Sequence, residues 1–591
     1  MDTTLRPTGW RALAVARWPW IVALVAIATG YYGSYVRYGI GFRDEGQTVA
    51  LIAQRLLNGE TPIKDVVLSY NVLWFYPVVG LYKIFGVSYV LLRCYCLALS
   101  TLTAVLGFLL VEKTTRRPWL AFLVALVLVL IPGSPFKNYI PLIAVANTLC
   151  LLHVALTPAD SRAALWNTLI GGVVLGLSFL IRIDIAILFC VIWLGLLIVR
   201  MLLGNPPFLP RAAVALGSAA LLVGSVAVVH WPFVADANRR GFGPEFAAQY
   251  HEKWRIIAAP LERLLKRRAA PLPADAGVYS QTPHRTALRP PGEATPVADK
   301  KTLQRATLKD LDKEGQNVGG AFLFLTYAPV ITVLIFLAWG IAAFLRGLRW
   351  RESEEQRRGL AVLVLMGGAL TTFPQFFFFR PDIPHLSEFM PGYLTASAAA
   401  AGLLWTGAKS WRNWRTLFTL FLVAHAAVYV VRVLPDRWAG TWTIRKKRTK
   451  FFTAENGVNV YVSSREFAGL TAIQKFLREF APNPTDYIAC YPYSPGINLL
   501  ANRPTYERNV YVDNAMRTTL WDDEAIARFE KFRPEVIVLS DWDINGTESS
   551  RFSVWAVKAK TWIQTNYVHQ GTYIAGSDAF EIYTRTARPP K

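Results

Sequence analysis

The sequence predicts a polytopic α-helical membrane protein of about eleven spans, followed by a small C-terminal extramembrane α/β domain. Of its 591 residues, 53% are hydrophobic and the mean hydropathy is +0.30, which excludes a soluble multidomain protein. Many apolar runs of about 18 to 22 residues carry almost no charge, and runs of this length cross a bilayer as helices. The net charge of +23 matters through its placement, because positive charge in short loops orients the spans.

The first span is expected at about Trp18 to Val36. Arg6, Arg11 and Arg17 precede it, so the N terminus should stay in the cytoplasm. The segment is too long for a signal peptide and lacks a small-residue cleavage site, so we expect an anchor rather than a removed leader. A first outer loop, residues 37–87, follows.

The second span is expected from about Tyr89 to Val111. The apolar segment Tyr70 to Phe85 is short and contains Pro77 and Lys83, so we place it along the outer interface. Basic residues then recur in short cytoplasmic loops: Arg162, Arg200 with Arg211, Arg346 to Arg358, and Lys409 with Arg412 and Arg415. This alternation predicts a membrane domain over residues 1–440 and an outside C terminus.

Two basic segments are expected on the outer side. The long outer loop 235–318 is rich in Arg and Lys, and loops of this length translocate largely regardless of charge. The run Arg445 to Lys450 directly follows the last span, and anionic lipid headgroups are its expected contacts. The alternative is a cytoplasmic run, which would place the tail inside.

Residues 441–591 predict a periplasmic α/β domain, because short alternating runs replace the long apolar ones. We expect strands in VNVYV, DYIACYPYSPG and EVIVLSD, with AFEIYTR as an edge strand, and helices over Ser464 to Phe480, WDDEAIARFEKF and Val554 to Tyr567.

The most informative stretch is Gly41 to Gly86. The acidic pair Asp44–Glu45 precedes an amphipathic helix that Gly59 should end. Its apolar face consists of Val49, Ile52, Ala53, Leu56 and Leu57. Asp44 with Gln47 forms a capping box, so a helix cap is one interpretation of Asp44 and a catalytic carboxylate is the other. The two are compatible.

Three charged clusters are expected at the outer ends of spans. They are Arg43, Asp44 and Glu45 with Lys64, Asp65 and Tyr70; Arg182 and Asp184 in FLIRIDIAI; and Arg380, Asp382 and His385 in FFFFRPDIPHL. A charge at membrane depth costs several kcal/mol unless it is paired or lines a polar cavity, which favours function. The alternatives are a solvated ion pair in a short turn for the second cluster, and a solvated loop with an interfacial belt of four Phe for the third.

The sequence lacks the motifs that other kinds of enzyme or transporter would need. There is no Gly-Lys-Ser/Thr phosphate loop, which disfavours an ATP-driven pump, and no His-Glu-x-x-His zinc helix. Four cysteines lie in apolar spans and Cys490 is alone, so neither a disulfide within the C-terminal domain nor a metal site is expected. Asp44–Glu45 makes at most a weak divalent-cation site.

Three charged clusters that face the same compartment suit a reaction in which a lipid phosphate is the leaving group. An Asp base would take the proton of an acceptor hydroxyl, while Arg and His stabilise the departing phosphate. Inversion at the sugar carbon is the simplest stereochemical outcome.

The stretch GFRDEGQTVALIAQRLLNGETPIKDV, followed by LYKIFGVSYVLLR with Arg93, resembles the first-loop signature of the C-type-fold (GT-C) glycosyltransferases, in their family-39-like or Rgt-like bacterial branch. GLSFLIRIDIAI, RPDIPHL and YPYSPGINLLANRPTY resemble later parts of the same proteins. The resemblance implies a polyprenyl-phosphate sugar donor and Asp44, beside Glu45, as catalytic base. It also implies Lys64, Arg182, Arg380 and His385 as donor-phosphate ligands, supported by Arg43, Tyr70, Asp184 and Asp382.

The implied enzyme is an integral-membrane glycosyltransferase of the bacterial inner membrane, acting at the periplasmic face on a glycan, lipid or protein acceptor. No nucleic-acid partner is expected for this enzyme. The alternatives are a polymerase or ligase of lipid-linked glycans, and a lipid or glycan transporter without chemistry. A transporter is expected to show matched interrupted spans in two halves, and the sequence has no such symmetry.

Overall fold

The computed structural model describes residues 10–34, 36–40, 45–62, 65–66, 68, 72–131, 135–158, 162–203, 320–347, 353–374, 376, 383–405, 412–492, 494–507, 510, 512, 521–541, 551–575 and 578–585. The long outer loop 235–318 lies outside them.

Among the described residues up to 447, regular structure is helical apart from isolated β-bridges at Tyr38 and between Pro62 and Val66. The helices are α1 (Trp10–Gly33), α2 (Glu45–Leu57), α3 (Val72–Phe85), α4 (Tyr89–Thr115), α5 (Pro118–Leu130), α6 (Tyr139–Leu156), α7 (Arg162–Ile181), α8 (Ile183–Leu203), α9 (Gly320–Gly347), α10 (Glu354–Leu370), α11 (Ile383–Trp405) and α12 (Arg412–Lys447). A 3-10 turn, Pro135–Lys137, leads into α6.

Five helical segments of the described chain are long and apolar enough to cross a membrane: Tyr89–Thr115, Tyr139–Leu156, Ile183–Arg200, Phe324–Gly347 and Thr416–Leu434. Large aliphatic side chains such as Val191, Leu334 and Val431 are exposed on the outside of the bundle. Acyl chains accept such surfaces and water does not, so the molecule is a multi-pass membrane protein.

The helices define two ends of the bundle. At one end, called here the basic end, α4, α6 and α8 finish, Arg17 pairs with Glu112 at 2.7 Å, and Arg200 donates to Val154 O at 2.6 Å. At the other end, the loop end, α4, α6 and α11 begin. Helix α7 runs antiparallel to α6, so it finishes at the loop end. The two helices are joined by a hydrogen bond from Asn147 Nδ2 to Ser178 Oγ at 2.8 Å.

The C-terminal region carries two sheets. β1 (Lys450–Thr453) and β2 (Asn459–Val462) pair antiparallel. The second sheet has the order β3 (Ile488–Tyr491), β4 (Val536–Leu539), β6 (Asp578–Thr584), β5 (Val568–Ala575), with only β3 and β4 parallel. Its helices are α13 (Ser464–Phe480), α14 (Pro495–Ala501), α15 (Trp521–Phe532), α16 (Phe552–Trp555) and α17 (Val557–Asn566).

Several predicted elements are confirmed and some are corrected. Helix α13 has the predicted bounds. The segment AFEIYTR forms a strand, β6, as predicted, but its predicted position at an edge is wrong, because β6 lies between β4 and β5. The strand at the edge beside β6 is β5, which the sequence did not predict, since Gly571 and a bulge after His569 break its alternating pattern. The predicted helix Val554 to Tyr567 is two helices, which meet at Ala556. The predicted domain boundary at residue 440 falls inside α12.

Candidate active site

Helix α2 begins at Glu45, immediately after Asp44. Its predicted apolar face is confirmed, since Val49, Ile52 and Ala53 are fully buried. The predicted stop is confirmed too: Gly59 has φ +92°, and its N–H donates to Leu56 O. Six predicted site residues lie outside the described residues and stay predictions: Arg43, Asp44, Lys64, Tyr70, Arg380 and Asp382.

Two arginines fix the chain on either side of the acidic pair. Before it, Arg93 on α4 donates to the carbonyls of Val36, Tyr38 and Gly39 at 2.8 to 3.0 Å. Arg93 also lies 4.2 Å from the centre of the Tyr89 ring. Three carbonyls held by one planar guanidinium give the backbone a defined direction as it leaves α1 and approaches residue 41.

After the acidic pair, Arg55 holds α2 against the C-terminal region. It is buried, pairs with Glu60 at 2.6 Å, and donates to the carbonyls of Glu507, Asp65 and Thr505. Buried polar hydrogen bonds of this kind are costly to leave unmade, so α2 and the segment 505–507 are fixed relative to each other.

The second predicted cluster lies where α7 ends and α8 begins. Arg182 is the one residue between α7 and α8, and its Nε and Nη2 donate to the two carboxylate oxygens of Asp184 at 2.8 and 3.0 Å. Arg182 is largely buried, whereas the Asp184 side chain is 60% exposed. In this structure Asp184 therefore occupies one edge of the guanidinium, and a phosphate on that edge would have to displace it.

The third cluster is only partly as predicted. His385 belongs to the first turn of α11 and is buried, so it does not lie on a solvated loop. Pro384 is tolerated because the first turn of a helix needs no donor there. Phe376 is also buried and stacks on Phe389 at 5.9 Å, so for this residue the expected interfacial belt is wrong. The other three Phe residues lie outside the described ranges.

Sequence reasoning missed an ion pair beside His385. One turn further along α11, Glu388 Oε1 lies 3.6 Å from the Nζ of Lys137, and both side chains are buried. Lys137 ends the 3-10 turn before α6. The available signal was a Lys directly before an apolar span, and a Glu within one.

The elements that carry or flank all three clusters meet at the loop end. Helix α2 contacts the 3-10 turn, α3 contacts α7, and α11 packs against α6. Lys137, Arg182, His385 and Glu388 therefore belong to the same end of the bundle as the start of α2. Buried charge at a membrane face is costly unless it is paired or lines a polar cavity, so this end of the bundle is the candidate functional site.

No group of three or more His, Cys, Asp or Glu side chains within the described residues is arranged to hold a metal ion. Glu45 is the first residue of α2, and Asp44 lies outside the described ranges, so the weak cation site considered for this pair stays a prediction.

No family model and no curated protein sequence matches the chain. Among solved structures, the chain is similar to ArnT from Cupriavidus metallidurans bound to undecaprenyl phosphate, with 12% identity and a TM-score of 0.46 over 97% of this chain and 99% of that one. It is also similar to the oligosaccharyltransferase AglB from Archaeoglobus fulgidus, solved with an inhibitory peptide and a dolichol phosphate. That match has 15% identity and a TM-score of 0.44, over 96% and 74% of the two chains. At these TM-scores the likeness is distant, and no residue role follows from it.

Proposed function

We propose that the protein is an integral-membrane glycosyltransferase, which moves a sugar from a polyprenyl phosphate to a hydroxyl group of a glycan, lipid or protein. The observation that carries the proposal is that Arg182 and the buried His385 lie at the same end of the bundle as the start of α2, which directly follows Asp44. The motif resemblance of the sequence supports the same reaction class.

The proposed step is a single displacement. Asp44 takes the proton of the acceptor hydroxyl, the acceptor oxygen bonds to C1 of the sugar, and the bond from C1 to the phosphate oxygen breaks. The electron pair leaves with the polyprenyl phosphate, whose growing negative charge is stabilised by nearby cations. Lys64, Arg182, Arg380 and His385 are the proposed cations, and Glu45 stands beside the base. Attack from the face opposite the phosphate inverts C1.

The decisive substitution is Asp44→Asn. Asn caps a helix about as well as Asp, so this change keeps the cap and removes only the base. We expect turnover to fall by roughly 10²- to 10⁴-fold, while binding of the donor lipid and the amount of folded protein stay near those of the wild type. Turnover is measured as release of undecaprenyl phosphate from a panel of its sugar esters, with cell-envelope extract as acceptor.

The matched control is Asp65→Asn in the same loop. The Asp65 carboxylate accepts the N–H of Thr61 at 2.8 Å, and an Asn oxygen can still accept it. Near-normal turnover is expected. If Asp44→Asn also keeps normal turnover, Asp44 is only a helix cap and the proposed mechanism is wrong. If the wild type releases no undecaprenyl phosphate from any ester, the enzyme proposal itself is wrong.

A further inference from the structure

Polar atoms without partners among the described residues lie on residues near Lys137: Glu388 faces it, Asn138 follows it in the chain, and Trp74 packs on the ring of Tyr139, two residues further on. In the described part of the chain, neither carboxylate oxygen of Glu388, nor Oδ1 of Asn138, nor Nε1 of Trp74 makes a hydrogen bond. These residues are only 3%, 2% and 1% exposed. Glu388 has Lys137 nearby at 3.6 Å, which is an ionic contact beyond hydrogen-bond length.

Such a cluster is expensive unless something binds it. A buried polar group without a partner costs about 1–3 kcal/mol, and more when it is charged. The other atoms of the cluster are well fixed, since Asn138 Nδ2 donates to Cys96 O at 3.1 Å. The unpaired atoms lie on three helical elements, α3, the start of α6 and α11, and unsatisfied buried groups in a native protein call for a bound partner or a functional role.

The donors and acceptors among the unpaired atoms indicate which class of ligand they can bind. They are three acceptors and one donor, and Lys137, the cation that the described residues place beside them, already faces a carboxylate. This balance repels a phosphate and complements hydroxyl groups, which donate and accept. Aromatic rings lie alongside: the Trp74 ring centre is 4.6 Å from that of Tyr139 and 5.9 Å from that of Tyr95. Apolar rings beside hydroxyl-binding atoms suit the C–H faces of a sugar.

We infer that Glu388, Asn138 and Trp74 form the subsite that recognises the sugar of the donor, separately from the residues that bind its phosphate. The inference rests on the proposed function and deepens it. Glu388 and Asn138 accept hydrogen bonds from sugar hydroxyls, Trp74 Nε1 donates to one, and Lys137 balances the buried carboxylate.

The test compares affinities for two lipids that differ only by the sugar. Binding of undecaprenyl phosphate, and of the undecaprenyl-phosphate hexose or pentose that the wild type binds best, is measured on the full chain in nanodiscs. Glu388→Gln should lower the preference for the sugar-bearing lipid by roughly tenfold, and Trp74→Phe, which keeps most of the ring, by about threefold. Affinity for bare undecaprenyl phosphate should stay unchanged in Trp74→Phe.

Two variants control for loss of packing or charge elsewhere in the bundle. Trp193 on α8 is a buried indole whose Nε1 has no hydrogen-bond partner among the described residues either, and Glu112 forms the ion pair with Arg17 at the basic end. Trp193→Phe and Glu112→Gln should leave the preference for the sugar-bearing lipid unchanged, whatever they do to stability.

The outcomes separate the two proposals. If the wild type prefers a sugar-bearing lipid and Trp74→Phe and Glu388→Gln keep that preference, the subsite inference is overturned and the proposed function stands. Equal weakening of both lipids assigns the cluster to phosphate binding, which also overturns it. If the wild type binds no sugar-bearing lipid, the inference and the proposed function fall together.

Discussion

At the residue scale, the carboxylate of Glu466 joins the end of the membrane bundle to the first helix of the C-terminal region. It accepts the backbone N–H of Ser463 at 2.7 Å, and the guanidinium of Arg448 at 3.2 and 3.3 Å. Burial raises the pKa of Glu466, but the Arg448 and Ser463 hydrogen bonds outweigh burial, so its pKa lies below the ordinary value of 4.5. Arg448 directly follows α12, whereas Glu466 lies in the first turn of α13.

Because the pKa of Glu466 is lowered in the folded protein, the stability of the fold should depend on pH. The unfolded chain binds the proton more readily than the folded one, so Glu466 stabilises the fold above about pH 4.5, and this contribution is lost as the pH falls toward its lowered folded pKa. Glu466→Gln keeps a capping side chain and removes the charge. We expect the apparent Tm of the variant to be lower at pH 7 and to decline less between pH 5 and 3. An equal decline of the apparent Tm in the variant and the wild type between pH 5 and 3 would contradict this prediction.

At the scale of elements, α2 is held by both parts of the molecule. Its apolar face packs within the bundle, and its polar face is hydrogen-bonded to the C-terminal region. Besides Arg55, Gln54 hydrogen-bonds to Asn502, and its Oε1 accepts from Asn456 Nδ2 at 3.3 Å. The helix that starts beside the proposed base is thus positioned by a segment more than 400 residues away in the chain.

This docking predicts that Arg55 positions the base without touching the substrate. Arg55→Lys keeps a cation opposite Glu60, but an ammonium cannot reproduce the planar fork that reaches three carbonyls. Because small displacements of a catalytic group are costly, kcat should fall by roughly tenfold or more, with little change in donor KM. The measurement is steady-state release of undecaprenyl phosphate beside the apparent Tm.

Arg503→Lys is the matched control for Arg55→Lys. Arg503 also donates to buried carbonyls, those of Ala481 and Ala501, within the C-terminal region. It should lower the apparent Tm about as much as Arg55→Lys and leave kcat near normal. An equal fall of kcat in both variants would show that Arg55 contributes general stability only.

The elements and the site were not equally predictable. Long apolar runs and the 3.6-residue periodicity of α2 depend on neighbouring residues, so the sequence predicts these helices well. The pair of Lys137 and Glu388 joins residues 251 positions apart, and neither lies in a motif. Only the packing of α11 against α6 brings them together. Likewise, β6 was taken as an edge strand because pairing with β5 depends on a turn and not on its own sequence.

At the scale of the whole molecule, the basic run after the last predicted span is part of the fold. Helix α12 has 36 residues, which at about 1.5 Å per residue is far longer than a bilayer core of about 30 Å. Arg445 lies 5.8 Å from the centre of the Tyr38 ring, and Arg448 pairs with Glu466. Lys446, Lys447 and Lys450 stay exposed, and these three are the lysines of the run that remain for the expected contact with anionic headgroups.

Charge at the two ends of the bundle predicts its orientation. The basic end joins its helices through short connections that carry Arg116, Arg117 and the start of α7 at Arg162. Arg357 and Arg358 lie near the start of α10 at the same end. Positive charge in short loops stays in the cytoplasm, so the loop end and the C-terminal region should face the periplasm of a bacterial cell.

Cysteine labelling of intact cells tests this orientation. Thr485 is exposed in the C-terminal region, and Pro158 is exposed between α6 and α7 at the basic end. A membrane-impermeant maleimide should label Thr485→Cys in intact cells and Pro158→Cys only after permeabilisation, against the wild-type background of five free cysteines. The reverse pattern would put the loop end in the cytoplasm. A donor loaded from the periplasmic leaflet could not then reach Asp44, because the start of α2 lies at that end.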